Sequence, residues 1–193
     1  MTVLTLNVEP LAITEEQFYE LCRTNRDLRL ERTAAGEVII MPPAGSETGA
    51  RNGSISAQLW LWNERSGWGL TFDSSTGFKL PNGATRSPDA AWIMQARWNV
   101  LTAYQKRGFA PLCPDFVLEL CSPSDEIEVV RAKMREYIAN GARLGWLLDP
   151  QTRMAEIYEP GEAVETLYNP TSLSGDPVLP GFVLDLSRVF MGI

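Results

Sequence analysis

The sequence predicts a single domain of α/β class, in which a mixed sheet is flanked by helices. Its 193 residues, 45% of them hydrophobic, are enough for one domain with a substantial core. No Pro-rich or Ser/Gly-rich stretch divides the chain, so residues 1–193 are expected to form that one domain. Segments of helical periodicity alternate with short strand-like runs, an order typical of helices packed on a sheet.

The first third of the chain predicts a helix, a β-hairpin and a longer helix. Thr14 precedes two glutamates and apolar residues spaced three and four apart, which indicates a capped helix. The strand-like runs 28–32 and 37–41 are joined by Ala-Ala-Gly and predict a hairpin. Apolar residues at helical spacing from 46 to 64 predict the first core helix.

The central region predicts short strands followed by a second core helix. Strands are expected at residues 68–72, 76–80 and 85–94. Residues 95–113 are mixed in pattern and allow a helical stretch. The clearest strand is 115–121, whose alternation directs Glu119 to one face. The hydroxyl, proline and acidic residues of 122–126 predict the start of a helix that ends at Gly141.

The last part of the chain predicts a strand and a second hairpin. The apolar run 144–149 predicts a strand, and the runs 154–158 and 163–168 predict a hairpin around Pro160-Gly161. The apolar run 182–190 is expected to end in a short helix. The expected architecture is therefore a core of sheet and helices with additional N-terminal and C-terminal β-hairpins.

The composition excludes several common kinds of site. Histidine is absent, which excludes Ser-His and Cys-His catalytic pairs and His-ligated zinc. The three cysteines form no C-x-x-C pair, so reduced thiols in a cytoplasmic protein are expected. The N-terminal residues lack the pattern of a signal peptide, and no apolar run has the length of a membrane span. The net charge of −7 argues against strong non-specific binding to DNA.

Three charged residues occupy positions where the pattern is otherwise apolar. Asp89 opens the run SPDAAWIM, Glu119 interrupts PDFVLELC, and Lys133 lies on the apolar face of the helix EVVRAKMREYI. The ordinary alternatives are a turn cap for Asp89, a solvent-facing edge strand for Glu119, and a side chain that extends to solvent for Lys133. Because charged residues are rarely buried unless they are paired or bind a metal, the three together predict one polar site.

Such a set of side chains suits phosphodiester chemistry without histidine. Two carboxylates supply the oxygen ligands that Mg²⁺ or Mn²⁺ prefers, and the metal lowers the pKa of a bound water. A lysine nearby orients that water or stabilises the anionic transition state.

Three blocks of the sequence resemble the Uma-two family of restriction-endonuclease-like proteins. These blocks are SPD at 87–89, PDFVLELCSPSD at 114–125 and KMREYIANGARLGWLLDP at 133–150. The resemblance covers most of the chain, from the helix after Thr14 to the Leu179-Pro180-Gly181 tail. It implies a PD-(D/E)-x-K nuclease-like core, in which a mixed sheet is flanked by helices.

The resemblance also implies roles for the three charged residues. Asp89 is similar to the motif aspartate and Glu119 to the second acid, so both are expected to bind Mg²⁺ or Mn²⁺. The usual lysine, two residues after the acid, would fall on Cys121, and its role passes to Lys133 on the following helix. Lys133 is thus the residue on which a catalytic role depends most.

Two further positions, 47 and 48, are relevant to whether the metal site has all of its expected residues. Glu47 resembles the acidic residue that often completes the metal shell, and its ordinary alternative is a solvated glutamate. Family members often carry a histidine at the next position, where this chain has Thr48.

The expected function is that of a metal-dependent endonuclease acting on nucleic acid, in the first place DNA, as a homodimer. A non-catalytic dimeric interaction protein that keeps the nuclease fold is one alternative, favoured by the acidic balance. A hydrolase of small phosphate esters is another, and suits the net charge better than DNA does.

Overall fold

The computed structural model describes residues 4–8 and 11–190 of the chain. Its helices are α1 (Glu15–Thr24), α2 (Ser46–Ser66), α3 (Gln95–Asn99), α4 (Ala103–Arg107), α5 (Ile127–Ala139) and α6 (Ser187–Phe190). Its strands are β1 (Leu4–Leu6), β2 (Arg29–Arg32), β3 (Val38–Met41), β4 (Gly69–Asp73), β5 (Phe78–Lys79), β6 (Thr85–Arg86), β7 (Ala90–Met94), β8 (Phe116–Leu120), β9 (Leu144–Asp149), β10 (Met154–Tyr158), β11 (Glu165–Tyr168), β12 (Ser172–Ser174) and β13 (Val183–Asp185). The expected domain of residues 1–193 includes 1–3, 9–10 and 191–193, which lie outside the described residues.

The larger sheet is mixed and has six strands in the order β11-β10-β9-β8-β7-β4. Its strands β8 and β9 are parallel and are connected through α5, while the other neighbouring pairs are antiparallel. A second sheet of five antiparallel strands has the order β1-β3-β2-β6-β5. The mixed α/β class predicted from the sequence is confirmed, and so are both hairpins, β2–β3 and β10–β11.

Helices cover both faces of the six-stranded sheet. On one face α2 packs Ile55 and Leu59 into a core shared with the C-terminal segment, and on the other α5 packs Met134 and Tyr137. All five residues of β8 are buried, because this strand is central and both of its faces are covered. The solvent-facing edge strand is therefore wrong as an explanation for Glu119.

Two element boundaries differ from the sequence prediction for local reasons. The helix expected from residue 122 begins at Ile127, because Asp125 Oδ2 accepts a hydrogen bond from the Ser122 amide at 2.7 Å and holds a turn there. The strand expected at 85–94 is divided into β6 and β7, which belong to different sheets. Pro88 lies between them and has no N–H for a strand ladder. Among the described residues, no helix combines the length and apolar character needed to cross a bilayer.

Candidate active site

Asp89 and Glu119 lie at the same end of adjacent central strands. In the antiparallel pairing of β7 with β8, Ala90 is opposite Leu118, so the register continued by one residue places Asp89 opposite Glu119. Asp89 Oδ2 accepts a hydrogen bond from the amide of Leu120 at 2.9 Å. Asp89 is partly exposed, whereas Glu119 is 7% exposed. Two carboxylates thus meet at one edge of the core, and one of them remains accessible.

Lys133 joins these carboxylates from α5, as the sequence predicts. Its Nζ is 2.9 Å from Glu119 Oε1 and 2.8 Å from Glu31 Oε1. Tyr137, one turn later on the helix, donates a hydrogen bond from its hydroxyl to Glu119 Oε1 at 3.0 Å. Residues four apart share a helix face, and α5 turns this face towards β8. The lysine side chain is therefore directed into the site, with 14% of it exposed.

Glu31 of β2 is a third carboxylate in the group, and it is 2% exposed. Its Oε1 accepts a hydrogen bond from the Ser87 amide at 2.8 Å, and its Oε2 is 3.1 Å from Arg86 Nη1. Arg86 Nε in turn lies 2.6 Å from Glu136 Oε2 on α5. Sequence reasoning missed Glu31, because its alternation with Leu30 in a hairpin strand is the ordinary pattern of a residue facing water. No local signal distinguishes it.

Helix α2 contributes Asn52 to the site. Its Nδ2 donates a hydrogen bond to Asp89 Oδ1 at 3.1 Å. Its Oδ1 is buried and has no hydrogen-bond partner among the described residues. A buried amide oxygen without a partner beside a carboxylate is an acceptor suited to a metal ion or to a metal-bound water. Thr48 is buried one turn before Asn52 on the same helix.

Glu47 makes no hydrogen bond or ion pair with the three residues that were predicted with it. Its side chain is 78% exposed and lies 3.3 Å from Arg51 Nη1. Arg51 is itself held by the carbonyl oxygen of Val189, to which its Nε donates at 2.9 Å. The metal-binding role of Glu47 stays a prediction, and the contact from α2 to Asp89 is made by Asn52.

A family model, Uma2, described as "Putative restriction endonuclease", matches residues 15–187. The chain belongs to the Uma2 family. Its structure is similar to a crystal structure described as that of a "putative nuclease belonging to DUF820" from Anabaena variabilis ATCC 29413, with a TM-score of 0.70 and 17% identity. The similarity covers 84% of this chain and 89% of that chain, and at this identity it shows the shared fold. No curated protein matches the chain.

The pKa values of the carboxyl groups in the site of this Uma2 family member are shifted in opposite directions. Burial raises the pKa of Glu119 to about 7, and the neighbouring Asp89 and Glu31 add to the rise while Lys133 opposes it. Burial also raises the pKa of Asp89. Burial opposes the charged form of Glu31 as well, but Lys133 and Arg86 hold its pKa below the ordinary value. At the end of the site formed by Asp89 and Glu119, burial thus outweighs the effect of the nearby cations.

The donor atoms at this end fit a divalent cation. Asp89 and Glu119 offer two carboxylates, and Asn52 Oδ1 offers an oxygen without a partner. In the part of the chain that the structure describes, no group of three or more Asp, Glu or Cys side chains is arranged to hold a metal ion. Mg²⁺ does not require such a group, because it keeps several waters and is usually bound by one or two carboxylates. Asp89, Glu119 and Asn52 are thus the residues that would hold Mg²⁺ or Mn²⁺.

Proposed function

We propose that this chain is a divalent-metal-dependent nuclease that hydrolyses phosphodiester bonds in nucleic acid, in the first place DNA. One observation carries the proposal: Asp89 and Glu119 meet on adjacent strands, and Lys133 Nζ is 2.9 Å from Glu119 Oε1. The description of the Uma2 family and the nuclease-like fold support the same class of reaction.

Each residue of the site has a part in such a reaction. Mg²⁺ or Mn²⁺ at Asp89 and Glu119 would supply an activated water and neutralise charge on the phosphate. Asn52 orients the Asp89 carboxylate, and Tyr137 and Lys133 fix the Glu119 carboxylate. Burial opposes the charge of Lys133, but Glu119 and Glu31 raise its pKa, so the ammonium keeps its proton. Lys133 therefore acts as a positioned cation that stabilises the anionic transition state, and not as a base.

The site alone also permits a non-catalytic protein with this fold. Lys133 forms ion pairs with both Glu119 and Glu31, and buried ion-pair networks also occur as purely structural features of proteins. Homodimerisation is part of the nuclease proposal, because two copies of the site would allow paired cuts in the two strands of a duplex.

Cleavage assays with purified protein test the proposal. Duplex DNA, RNA and a small phosphodiester are incubated with Mg²⁺ or Mn²⁺, and with a chelator in parallel. We expect metal-dependent cleavage by the wild type and a rate lower by about 100-fold or more in Asp89→Asn and Lys133→Met, because each removes a group that stabilises the transition state. Asp27→Asn makes the same charge change at an exposed position and should cleave as the wild type does.

Each contrary result has its own meaning. Unchanged cleavage by Asp89→Asn would contradict the assignment of the site. Turnover of the small ester without cleavage of either polymer would replace the nuclease by a phosphate-ester hydrolase. Wild-type protein that binds neither metal nor nucleic acid would favour the non-catalytic interaction protein.

A further inference from the structure

We propose that Arg29 is a phosphate-binding residue of this site, placed beside Asp89 as Lys133 is placed beside Glu119. The inference rests on the proposed nuclease function and deepens it, because it assigns the group that holds the phosphodiester. Neither sequence reasoning nor the family motif indicates this residue.

The position of Arg29 follows from the strand that carries it. Arg29 and Glu31 are alternate residues of β2, so their side chains leave the same face of the five-stranded sheet. The Nη2 atom of Arg29 donates a hydrogen bond to the carbonyl oxygen of Ser74 at 2.7 Å. Asp73 is opposite Ala90 in the pairing of β4 with β7, so Ser74, which follows β4, lies at the end of β7 that Asp89 precedes. The guanidinium is thereby held at the Asp89 end of the site.

Among the described residues, Arg29 forms no close ion pair with an acidic side chain. None of the described residues places a carboxylate within ion-pair distance of its guanidinium, and its bond to Ser74 is to a neutral carbonyl group. Lys133 and Arg86, in contrast, each pair with two carboxylates. Burial is the main influence on the pKa of Asp89 and raises it, whereas Arg29 is one of the cations that lower it. This effect agrees with the proximity of Arg29 to Asp89.

The chemistry of the guanidinium suits a phosphate. It is planar and carries five N–H donors, so the bond to Ser74 leaves donors free for two phosphate oxygens. A chain with a net charge of −7 repels nucleic acid unless cations are placed locally at the site. Arg29 beside Asp89 and Lys133 beside Glu119 flank the two carboxylates, which is where a phosphodiester must lie to react.

Binding measurements separate this contact from the cleavage step. Affinity for labelled duplex and single-stranded DNA is measured by fluorescence anisotropy over a range of salt concentrations, with Ca²⁺ in place of Mg²⁺. Arg29→Met keeps the aliphatic stem and removes the charge, Arg29→Gln keeps a shorter neutral N–H donor, and Arg29→Lys keeps the charge but loses the planar set of guanidinium donors. Arg26→Met is the matched control, since Arg26 is an exposed cation three residues earlier.

We expect Arg29→Met and Arg29→Gln to weaken binding about tenfold or more, because a charge-assisted hydrogen bond to phosphate is lost. The slope of log affinity against log salt should fall by about 0.9 for duplex DNA, the value of one phosphate contact. Arg29→Lys should recover part of the affinity, and Arg26→Met should bind as the wild type does. A thermal unfolding curve for each variant shows whether it is folded. If Arg29→Met is unfolded, the comparison is made with Arg29→Gln.

The results distinguish this inference from the nuclease proposal. Equal affinities and equal slopes for the Arg29 variants and Arg26→Met would overturn the phosphate contact alone. Wild-type protein that binds in the Arg29-dependent manner but cleaves nothing with Mg²⁺ or Mn²⁺ would support the contact and contradict the nuclease. Wild-type protein that binds no nucleic acid would overturn both.

Discussion

At the scale of single residues, Glu119 has the most unusual environment in the site. It lies in a strand buried on both faces, accepts a hydrogen bond from Tyr137, and pairs with Lys133. Burial, helped by the nearby Asp89, nevertheless raises its pKa to about 7. Burial thus opposes the charged form of this carboxyl group, and a cation that binds beside it favours that form.

Glu119→Gln should therefore change stability in a pH-dependent way. Because the folded-state pKa of about 7 lies above the ordinary value of 4.5, folding favours the protonated carboxyl group. The stability that this group contributes is fully present below about pH 4.5 and is lost as the pH rises through about 7. We expect the variant to unfold at a higher temperature than the wild type at pH 8 without metal, and at the same temperature near pH 4.

The same variant reports on the metal site. Mg²⁺ or Mn²⁺ should raise the unfolding temperature of the wild type at pH 8, more than at pH 6, and should leave Glu119→Gln nearly unchanged. Glu20→Gln, at an exposed position, is the control for the loss of one charge. A Glu119→Gln protein less stable than the wild type at pH 8 without metal would contradict the environment assigned to Glu119.

At the scale of elements, the placement of α5 decides whether a lysine reaches the site. Cys121, two residues after Glu119, directly follows β8 and carries no charge, and the ammonium at the site comes from the next helix. Met134 of α5 is fully buried against β9, where Gly145 leaves room for it. A Cβ atom on Gly145 would lie 2.5 Å from Met134 Cε. The end of the Met134 side chain therefore occupies the space that a side chain at residue 145 would take.

Gly145→Ala should destabilise the fold modestly, because the added methyl group forces the end of the Met134 side chain into another position within a filled core. We expect a loss of about 1 kcal/mol in the free energy of unfolding, measured by urea denaturation. Gly53→Ala in α2 is the control: its Cβ meets nothing within 4 Å, so the change should gain up to about 1 kcal/mol of helix stability. Equal stability of the two variants would show that Met134 does not need this space.

At the scale of the whole molecule, Glu31 joins the two sheets. It extends from the five-stranded sheet to Lys133 on α5, which covers the six-stranded sheet, and it also pairs with Arg86. The two cations and the Ser87 amide satisfy a carboxylate that is 2% exposed. The same contacts position one wall of the candidate site and hold the N-terminal hairpin against the core.

Glu31→Ala should cost much more stability than the removal of a surface carboxylate. The change leaves Lys133 and Arg86 with less compensation in a buried environment, and breaking a buried pair in this way costs about 3–5 kcal/mol. Glu20→Ala, which removes an exposed partner of Arg23, should change stability far less, because water screens an exposed ion pair. Urea denaturation of both variants provides the comparison, and similar losses would contradict the role of Glu31 as a link between the sheets.

Most of the element order was predictable, because apolar spacing and turn residues are local properties of the chain. The capped first helix, the strand carrying Glu119 and the hairpins were found in this way. The boundaries that differed depend on competing local bonds, such as the one from Asp125 to the Ser122 amide. Strands β1 and β12 were not predicted, because each is only three residues long.

The sequence by itself determined the mixed α/β class and three residues of the candidate site. Asp89, Glu119 and Lys133 were visible because a charge within an apolar run breaks a local pattern. Tertiary structure alone decided that Glu31, Asn52 and Arg29 lie beside them. The physical reason is that each of these residues is ordinary within its own element. Its proximity to the site arises from packing between distant elements, which no local periodicity encodes.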